Sequence, residues 1–389
     1  MKVRLRQTSD HRRGTVLVLT AILMAALLVI VAFAVDLGYL MVAGTELQRT
    51  ADAAALAATW ELIDDESVGG QVNLSDEIVQ SRLRAAEFAA LNRVCSGEPD
   101  VSADAVPGAD SDVAVGYLSN PADPSCEMTF TDPNKYNAVR VRVRKTADQN
   151  GEVPLFFGRV LGIESQAMEA EATAALLNNV GGFTNPPAGK KLGILPFALD
   201  VATWNALLNG GGTDAWGWDS DTGHVASGGD GIREVNLYPQ GTGSPGNRGT
   251  VDIGGSNNST ADIARQIVDG ISESDMAHFE NSELKFDDNG ELGLNGDTGI
   301  SAGVKDELAS IVGEPRMIPI FAEVNGPGNN AQYTIVAFVG VRVMDVKLTG
   351  SMSSKRLIIQ PCSMIAWGGL PGGDTQTSHL LYSPVWLVR

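Results

Sequence analysis

Thr15 to Val35 reads TVLVLTAILMAALLVIVAFAV, a run without charge or proline. At about 1.5 Å per residue a helix over this run is roughly 30 Å long, which matches the hydrocarbon thickness of a bilayer. The run predicts a transmembrane helix. A cleaved signal peptide would have an apolar core of about 7 to 15 residues ending at a small-x-small site, whereas here the helical pattern continues past the run. Lys2, Arg4, Arg6, Arg12 and Arg13 precede the segment, and Asp36 and Glu46 follow it. By the positive-inside rule, this asymmetry places the N-terminus in the cytoplasm. Residues 36–389 then lie on the periplasmic or extracellular side of a single-pass membrane protein.

Composition fits an exported chain. Of 389 residues, 28 are basic and 47 acidic, giving a net charge of −19 although the first residues are basic. An acidic surface argues against nucleic acid as a partner, because binding it requires positive charge to replace counterions. Solubility alone also accounts for the acidity. Cys95, Cys126 and Cys362 are too few and too scattered for a zinc site. In an oxidising exterior Cys95 and Cys126 are the natural disulfide pair, leaving Cys362 free or buried.

From Asp36 the chain continues DLGYLMVAGTELQRTADAAALAATWEL, with apolar and Ala positions at helical spacing. Neither proline nor a glycine pair interrupts it after Gly38 and Gly44, so anchor and extension read as one long helix. Ala51, Ala54, Ala55 and Ala58 form a small-residue face suited to close packing against another surface. The same pattern also fits a coiled coil or a soluble core helix.

These residues carry a resemblance. Arg12-Arg13-Gly14 stands before the apolar run, Ala34-Val35-Asp36-Leu37-Gly38 at its outer edge, then Glu46-Leu47-Gln48 and Ala51-Asp52-Ala53-Ala54-Ala55-Leu56-Ala57-Ala58. The arrangement resembles the N-terminal module of TadG-like proteins of the Tad (tight adherence, Flp pilus) assembly family. The resemblance implies an envelope protein that helps build or anchor a type IVb pilus, with the membrane and other pilus-assembly or envelope proteins as partners. Pilin-like members of related families are cut after a Gly and carry Glu at the fifth mature position. Here Gly14 would put Leu19 at that place, which implies a permanently anchored accessory protein rather than a filament subunit. Some TadG-like proteins carry a von Willebrand A domain with an Asp-x-Ser-x-Ser ion loop. Here the nearest stretch has Lys347 in place of the Asp, which excludes that site.

Downstream, 74–92 reads as a helix with Ser75 as N-cap, and 96–134 as loops around a short strand near 113–118. NAVRVRVRK at 137–145 alternates strictly and predicts a half-buried strand with Arg140, Arg142 and Arg144 on one face. That face suits either an acidic partner or pairing across the sheet. Residues 152–161 read as a short amphipathic helix and 165–177 as a strand, although the Ala content of the latter also permits helix. The expected organisation is a cytoplasmic stretch 1–14, the membrane helix 15–35, a module 36–177 with its helix packed on a small pilin-like sheet, a linker 178–191, and an exported domain 192–389. In that last domain strands are expected at 193–198, 233–237, 250–253, 316–324, 333–345 and 355–360, with helices at 261–271 and 304–311. The fold class expected is α+β, with a central mixed sheet in the second domain, although α/β also suits the element order.

Candidate chemistry is sparse. The glycine-rich turn Gly254-Gly255-Ser256-Asn257-Asn258 leads into a helix and offers a groove for an anion or carboxylate. A plain capping turn with Ser259 or Thr260 as N-cap reads it as well. A second glycine-rich helix entry, 295–301, belongs to the same groove if both loops share a sheet edge. Asp214, Asp219, Asp221, Asp287, Asp288 and Asn289 supply hard oxygens without the EF-hand order, and so suit acidic turns better than calcium. Trp204, Trp216 and Trp218 fit a sugar platform, a protein hot spot or core packing. Four His, at 11, 224, 278 and 379, and no nucleophile or zincin motif argue for a non-enzyme without cofactor or metal. A membrane-tethered hydrolase or carbohydrate-binding protein using the Gly254 groove is the alternative.

Overall fold

The computed structural model describes residues 13–63, 74–103, 111–239, 248–254, 259–297, 300–326, 330–373 and 375–388. Helix α1 (Arg13–Trp60) is unbroken from the apolar run into the module. Gly38 and Gly44 do not break it: a side chain at Gly38 would meet open space, and one at Gly44 only the end of Met168. It ends as the bonds tighten to i→i+3, from Ala58, Thr59 and Trp60 to Glu61, Leu62 and Ile63. Helix α2 (Ser75–Leu91) is capped one residue earlier than expected. Its N-cap is Leu74, with Ser75 inside the first turn, where Asp76 and Glu77 complement the helix dipole.

The helices lie on a four-stranded antiparallel sheet. Its members include β1 (Val113–Gly116), β2 (Ala138–Lys145) and, beyond the short hairpin β3 (Val153–Pro154) and β4 (Ser165–Gln166), β5 (Met168–Ala175). Alternation in β2 sets its faces. Val139, Val141 and Val143 are fully buried toward α1, each worth roughly 1.5–3 kcal/mol relative to exposure. On the other face Arg140 and Arg142 reach Glu171 at 3.6 and 3.0 Å, and Arg144 pairs with Asp112. The three arginines of this face thus share two carboxylates of the module, Glu171 and Asp112. Residues 152–161 do not form the expected amphipathic helix: β3 and β4 pair around a loop containing only a 3-10 turn at Gly158–Leu161. Gly162, with φ +82°, closes that turn.

The stretch expected as a linker contains strand β6 (Val180–Phe183), buried throughout. Then come β7 (Leu199–Asp200), α3 (Val201–Leu208), the hairpin β8 (Trp216–Asp219) and β9 (His224–Ser227), β10 (Val235–Tyr238) and β11 (Thr250–Val251). Next are α4 (Thr260–Asp269), α5 (Glu273–Met276), β12 (Leu284–Lys285), β13 (Leu292–Asp297) and α6 (Lys305–Ser310). The long strands β14 (Pro315–Asn325) and β15 (Ala331–Lys347) are followed by β16 (Arg356–Pro361). The chain closes with β17 (Met364–Ile365), β18 (Gly369–Pro371), β19 (Ser378–His379), β20 (Leu381–Tyr382) and β21 (Trp386–Leu387).

Strand β15 organises this second part. One edge pairs with β14; the other meets β16, β19 and β13 at successive positions. Parallel pairs β7–β14 and β15–β19 within an otherwise antiparallel sheet make it mixed. Alternate residues feed two cores. Met317, Tyr333, Ile335 and Phe338 face β6 and β12, while Ile318, Ile320, Val339 and Val341 face α3, α4 and α6. The class is α+β, a long apolar helix on a small sheet followed by a mixed central sheet. Strand β21 pairs with β5, and the Leu177 N–H donates to Ser383 Oγ at 2.7 Å, so the end of the chain completes the N-terminal sheet.

Candidate functional site at the anchor and the helix seam

From Val16 to Val35 the apolar side chains of α1 point outward, Leu17 73% and Phe33 65% exposed. It is the one helix among the described residues long and apolar enough to cross a membrane. Between Val16 and Val35 the only hydroxyl, on Thr20, is turned back onto the carbonyl of Val16, as suits a polar group in hydrocarbon.

Asp36 ends the run and is buried. Its carboxylate accepts the N–H of Phe156 at 2.8 Å, of Phe157 at 3.2 and 3.0 Å on its two oxygens, and of Gly158 at 2.7 Å. One helix side chain therefore caps the 3-10 turn of the β3–β4 loop, using charge-assisted bonds to successive amides. Three residues on, Tyr39 meets the Phe156 ring edge-on at 5.2 Å. Gly38 between them is exposed.

Beyond this point polar residues tie the helix to the module. Glu46 Oε2 accepts the Cys95 N–H at 2.7 Å, holding a turn in which Cys95 and Ser96 take φ of 49° and 66°, a conformation uncommon for residues other than glycine. Gln48 Nε2 donates to Asp52 and to the Glu171 carbonyl, Thr50 Oγ1 to the Asn92 carbonyl, and Thr59 Oγ1 to that of Ala174. Ala51, Ala54, Ala55 and Ala58 are all 0% exposed in the core with Val139, Val141, Ala172 and Ala174. The small-residue face is therefore covered by the module's own α2 and sheet rather than turned toward a partner helix.

The other expected features are placed as follows. Cys95 and Cys126 are free thiols, so the disulfide expected between them is not formed here. Cys95 lies against Glu46 and the α1 core, whereas Cys126 sits by Ser119 and Leu118. Of the groove, Gly255, Ser256, Asn257 and Asn258 fall outside the described residues, and Gly254 has φ +86° with a Cβ position 2.1 Å from the Asp275 carbonyl. Ser259 caps α4 by accepting the Asp262 N–H, which is the capping alternative. The second entry does come alongside, with Thr260 and Ser301 hydroxyls 3.3 Å apart.

The acidic clusters are turn caps. Asp219 takes the amides of Asp221 and Thr222, Asp214 that of Asp230, and Asp287 those of Asn289 and Glu291. Trp204 packs in the core edge-on to His379, and Trp218 lies under the Arg342 guanidinium at 3.8 Å. Burial pushes the His379 imidazole below its usual range, and its Nδ1 has no partner among the described residues. His379 and Tyr117 line a cleft of about 290 Å³ between the two parts of the chain.

Sequence reasoning missed the Asp36 clamp and the exposed loop it holds. Gly158 and Gly162 in PLFFGRVLG were the available signal against a helix.

Residues 14–61 match the family model of Flp pilus-assembly TadE/G-like proteins, and residues 44–174 that of Tad-like Flp pilus-assembly proteins. The chain matches none of the curated proteins and none of the solved structures with which it was compared. The boundary of the longer match falls at the end of β5, where the helix, α2 and the sheet have closed their common core. Over residues 14–174, then, the N-terminal module of this chain is similar to Tad-like Flp pilus-assembly proteins.

Proposed function

We propose that the protein is a membrane-anchored accessory component in the assembly or anchoring of a Tad/Flp-type pilus. It acts by association with other envelope proteins rather than by catalysis. The observation that carries this reading is the continuity of α1: the apolar segment and the core helix of the pilus-assembly module are one uninterrupted element. The anchor therefore transmits position to the module without a hinge.

In this reading Lys2, Arg4, Arg6, Arg12 and Arg13 hold the N-terminus in the cytoplasm, and the module and residues 192–389 work on the other side. Because the Ala face is occupied within the chain, partners dock on the outer faces of the module or on the second domain. Leu19 at the place where pilin-like relatives carry Glu supports an accessory role rather than a filament role.

Crosslinking of the full-length protein in its native membrane, with identification of captured proteins and of the mature N-terminus, tests this. Capture of pilus-machinery proteins with Met1 or Lys2 retained is the expected result. Cleavage after Gly14 would move the protein to the filament, and failure to capture any such protein would reduce the family module to an anchor.

A further inference from the structure

Among the described residues the β3–β4 loop is the most apolar exposed segment outside the anchor. Phe156 is 60% exposed, Val160 85% and Leu161 73%, with Phe157 and Ile163 also outside the core. So many large apolar side chains on one loop are a patch, and such patches mark contact surfaces. Yet the loop is not loosely held. Leu155 is buried beneath it, Asp36 binds three of its amides, and Tyr39 packs on Phe156. An ordered loop that presents its apolar side chains outward is built to meet something apolar.

Its position identifies what that is. Strand β5 runs along α1 away from the apolar run: Met168 approaches Gly44, the Glu171 carbonyl meets Gln48, and the Ala174 carbonyl meets Thr59. The loop precedes β5, so it lies at the end of the module nearest the anchor, and Asp36 fixes it to the residue immediately after Val35. The apolar surface of α1 continues through exposed Leu37, Met41 and Val42, so the loop is contiguous with surface already assigned to lipid. Arg159, exposed at the centre of the loop, brings the one charge, and a basic side chain there can extend to lipid phosphate while its stem stays in the apolar zone.

We propose that the loop Leu155–Ile163 is a second membrane contact, seated in the headgroup and upper acyl region of the leaflet from which α1 emerges. This rests on the reading of residues 15–35 as the anchor. Aromatic and aliphatic side chains at that depth gain burial while Arg159 stays hydrated, the arrangement of interfacial segments generally. With two points of attachment the module cannot rotate freely about the anchor, and its outer faces hold a fixed direction relative to the membrane plane.

The full-length protein in phospholipid nanodiscs tests this with an environment-sensitive fluorophore on single cysteines. Leu161→Cys reports the loop, Leu23→Cys the anchor and Ser353→Cys an exposed site on the second domain, with Cys95, Cys126 and Cys362 replaced by Ser. Lipids carrying a quencher high on the acyl chain are expected to quench the Leu161 label at least about twofold more than the Ser353 label, as befits an insertion depth of roughly 5–10 Å. A quenched Leu23 label beside a Leu161 label no more quenched than Ser353 overturns the loop contact and leaves the anchor standing. Loss of quenching at Leu23 as well overturns the anchor. A Leu161 label that is blue-shifted but inaccessible to lipid quencher means that protein covers the loop, and also overturns the proposal. The unsubstituted protein gives a second measurement: photoactivated acyl-diazirine lipids should leave adducts within residues 156–163, and adducts confined to the helix refute the idea without any change of sequence.

Discussion

The two halves of α1 carry apolar side chains for opposite purposes. Between Val16 and Val35 they are mostly large and point outward; between Ala43 and Ala58 they are small or spaced along one face, and Ala43, Leu47, Ala51, Ala54, Ala55 and Ala58 are wholly buried. A helix against solid protein needs Ala where the sheet backbone comes close, as at Thr59, whose hydroxyl meets the Ala174 carbonyl at 3.3 Å. Lipid chains adapt to any side chain, so no such limit applies in the first half. The difference teaches that hydropathy reports which solvent a segment tolerates, whereas side-chain size reports how near its neighbour stands.

The strongest way to break this comparison is to charge the lipid-facing half. Leu23→Arg with Leu27→Arg places two cations near the bilayer centre, each costing about 2.5–3.5 kcal/mol on insertion scales. We expect the doubly substituted protein to leave the membrane fraction on sedimentation while its far-ultraviolet circular dichroism is unchanged. Retention in the membrane would mean that the first half is covered by protein. Matched enlargements come next. Ala55→Leu should cost about 3 kcal/mol, the upper end of usual overpacking, because the site is closed on the sheet side. Ala25→Leu, on the exposed half, should change stability by less than about 0.5 kcal/mol. Denaturant unfolding in nanodiscs reads both, and equal effects would erase the contrast.

How far the sequence could be read follows the same division. The long helix, the Val–Arg alternation of β2 and the long strands β14 and β15 were legible because their periodicity is local and strong. The α+β class followed from their order. The β3–β4 loop was not legible, since its apolar residues fit a helix face until Gly158 and Gly162 are given weight, and its partner Asp36 is far away in sequence. Nor did anything near Trp386 signal that β21 closes the N-terminal sheet. The composition of 178–191 read as a linker although Val180–Phe183 is a buried strand, because two glycines there let other backbone approach: a Cβ at Gly181 would meet Pro371 and Gly372, and one at Gly182 would meet Leu284 and Lys285. For the site, the motif residues were identified, but their use against the chain's own sheet was hidden.

Glu46 sharpens the comparison at the boundary between the halves. Its carboxylate accepts the Cys95 amide at 2.7 Å, so Glu46→Ala leaves that amide without its charged acceptor. The cost should be about 1.5–2 kcal/mol. Glu46→Gln, which keeps an acceptor oxygen, should recover part of it. Chemical unfolding measures both, and an unchanged midpoint for Glu46→Ala would show that the turn at Cys95 and Ser96 holds without the helix.

The smallest effect lies away from the helix altogether and asks whether the second domain depends on the seam. His379 is half-buried against Trp204, with desolvation holding its pKa below the usual 6.5. The native state therefore binds fewer protons than the unfolded chain in the window below about 6.5, and its stability must fall as pH drops through that window toward the lowered native value. Above it the contribution is complete. His379→Phe keeps a ring beside Trp204 and removes the titration, so the melting temperature of the variant should decline less than that of the parent between about pH 7 and pH 5.5. If the seam and the second domain are held independently, the difference belongs only to the transition of the second domain. The α1 module, followed by hydrogen exchange at Val139 and Val141, should show the same protection in both proteins at every pH. Matching acid slopes for the two proteins would place the proton uptake on another group and remove His379 from the account.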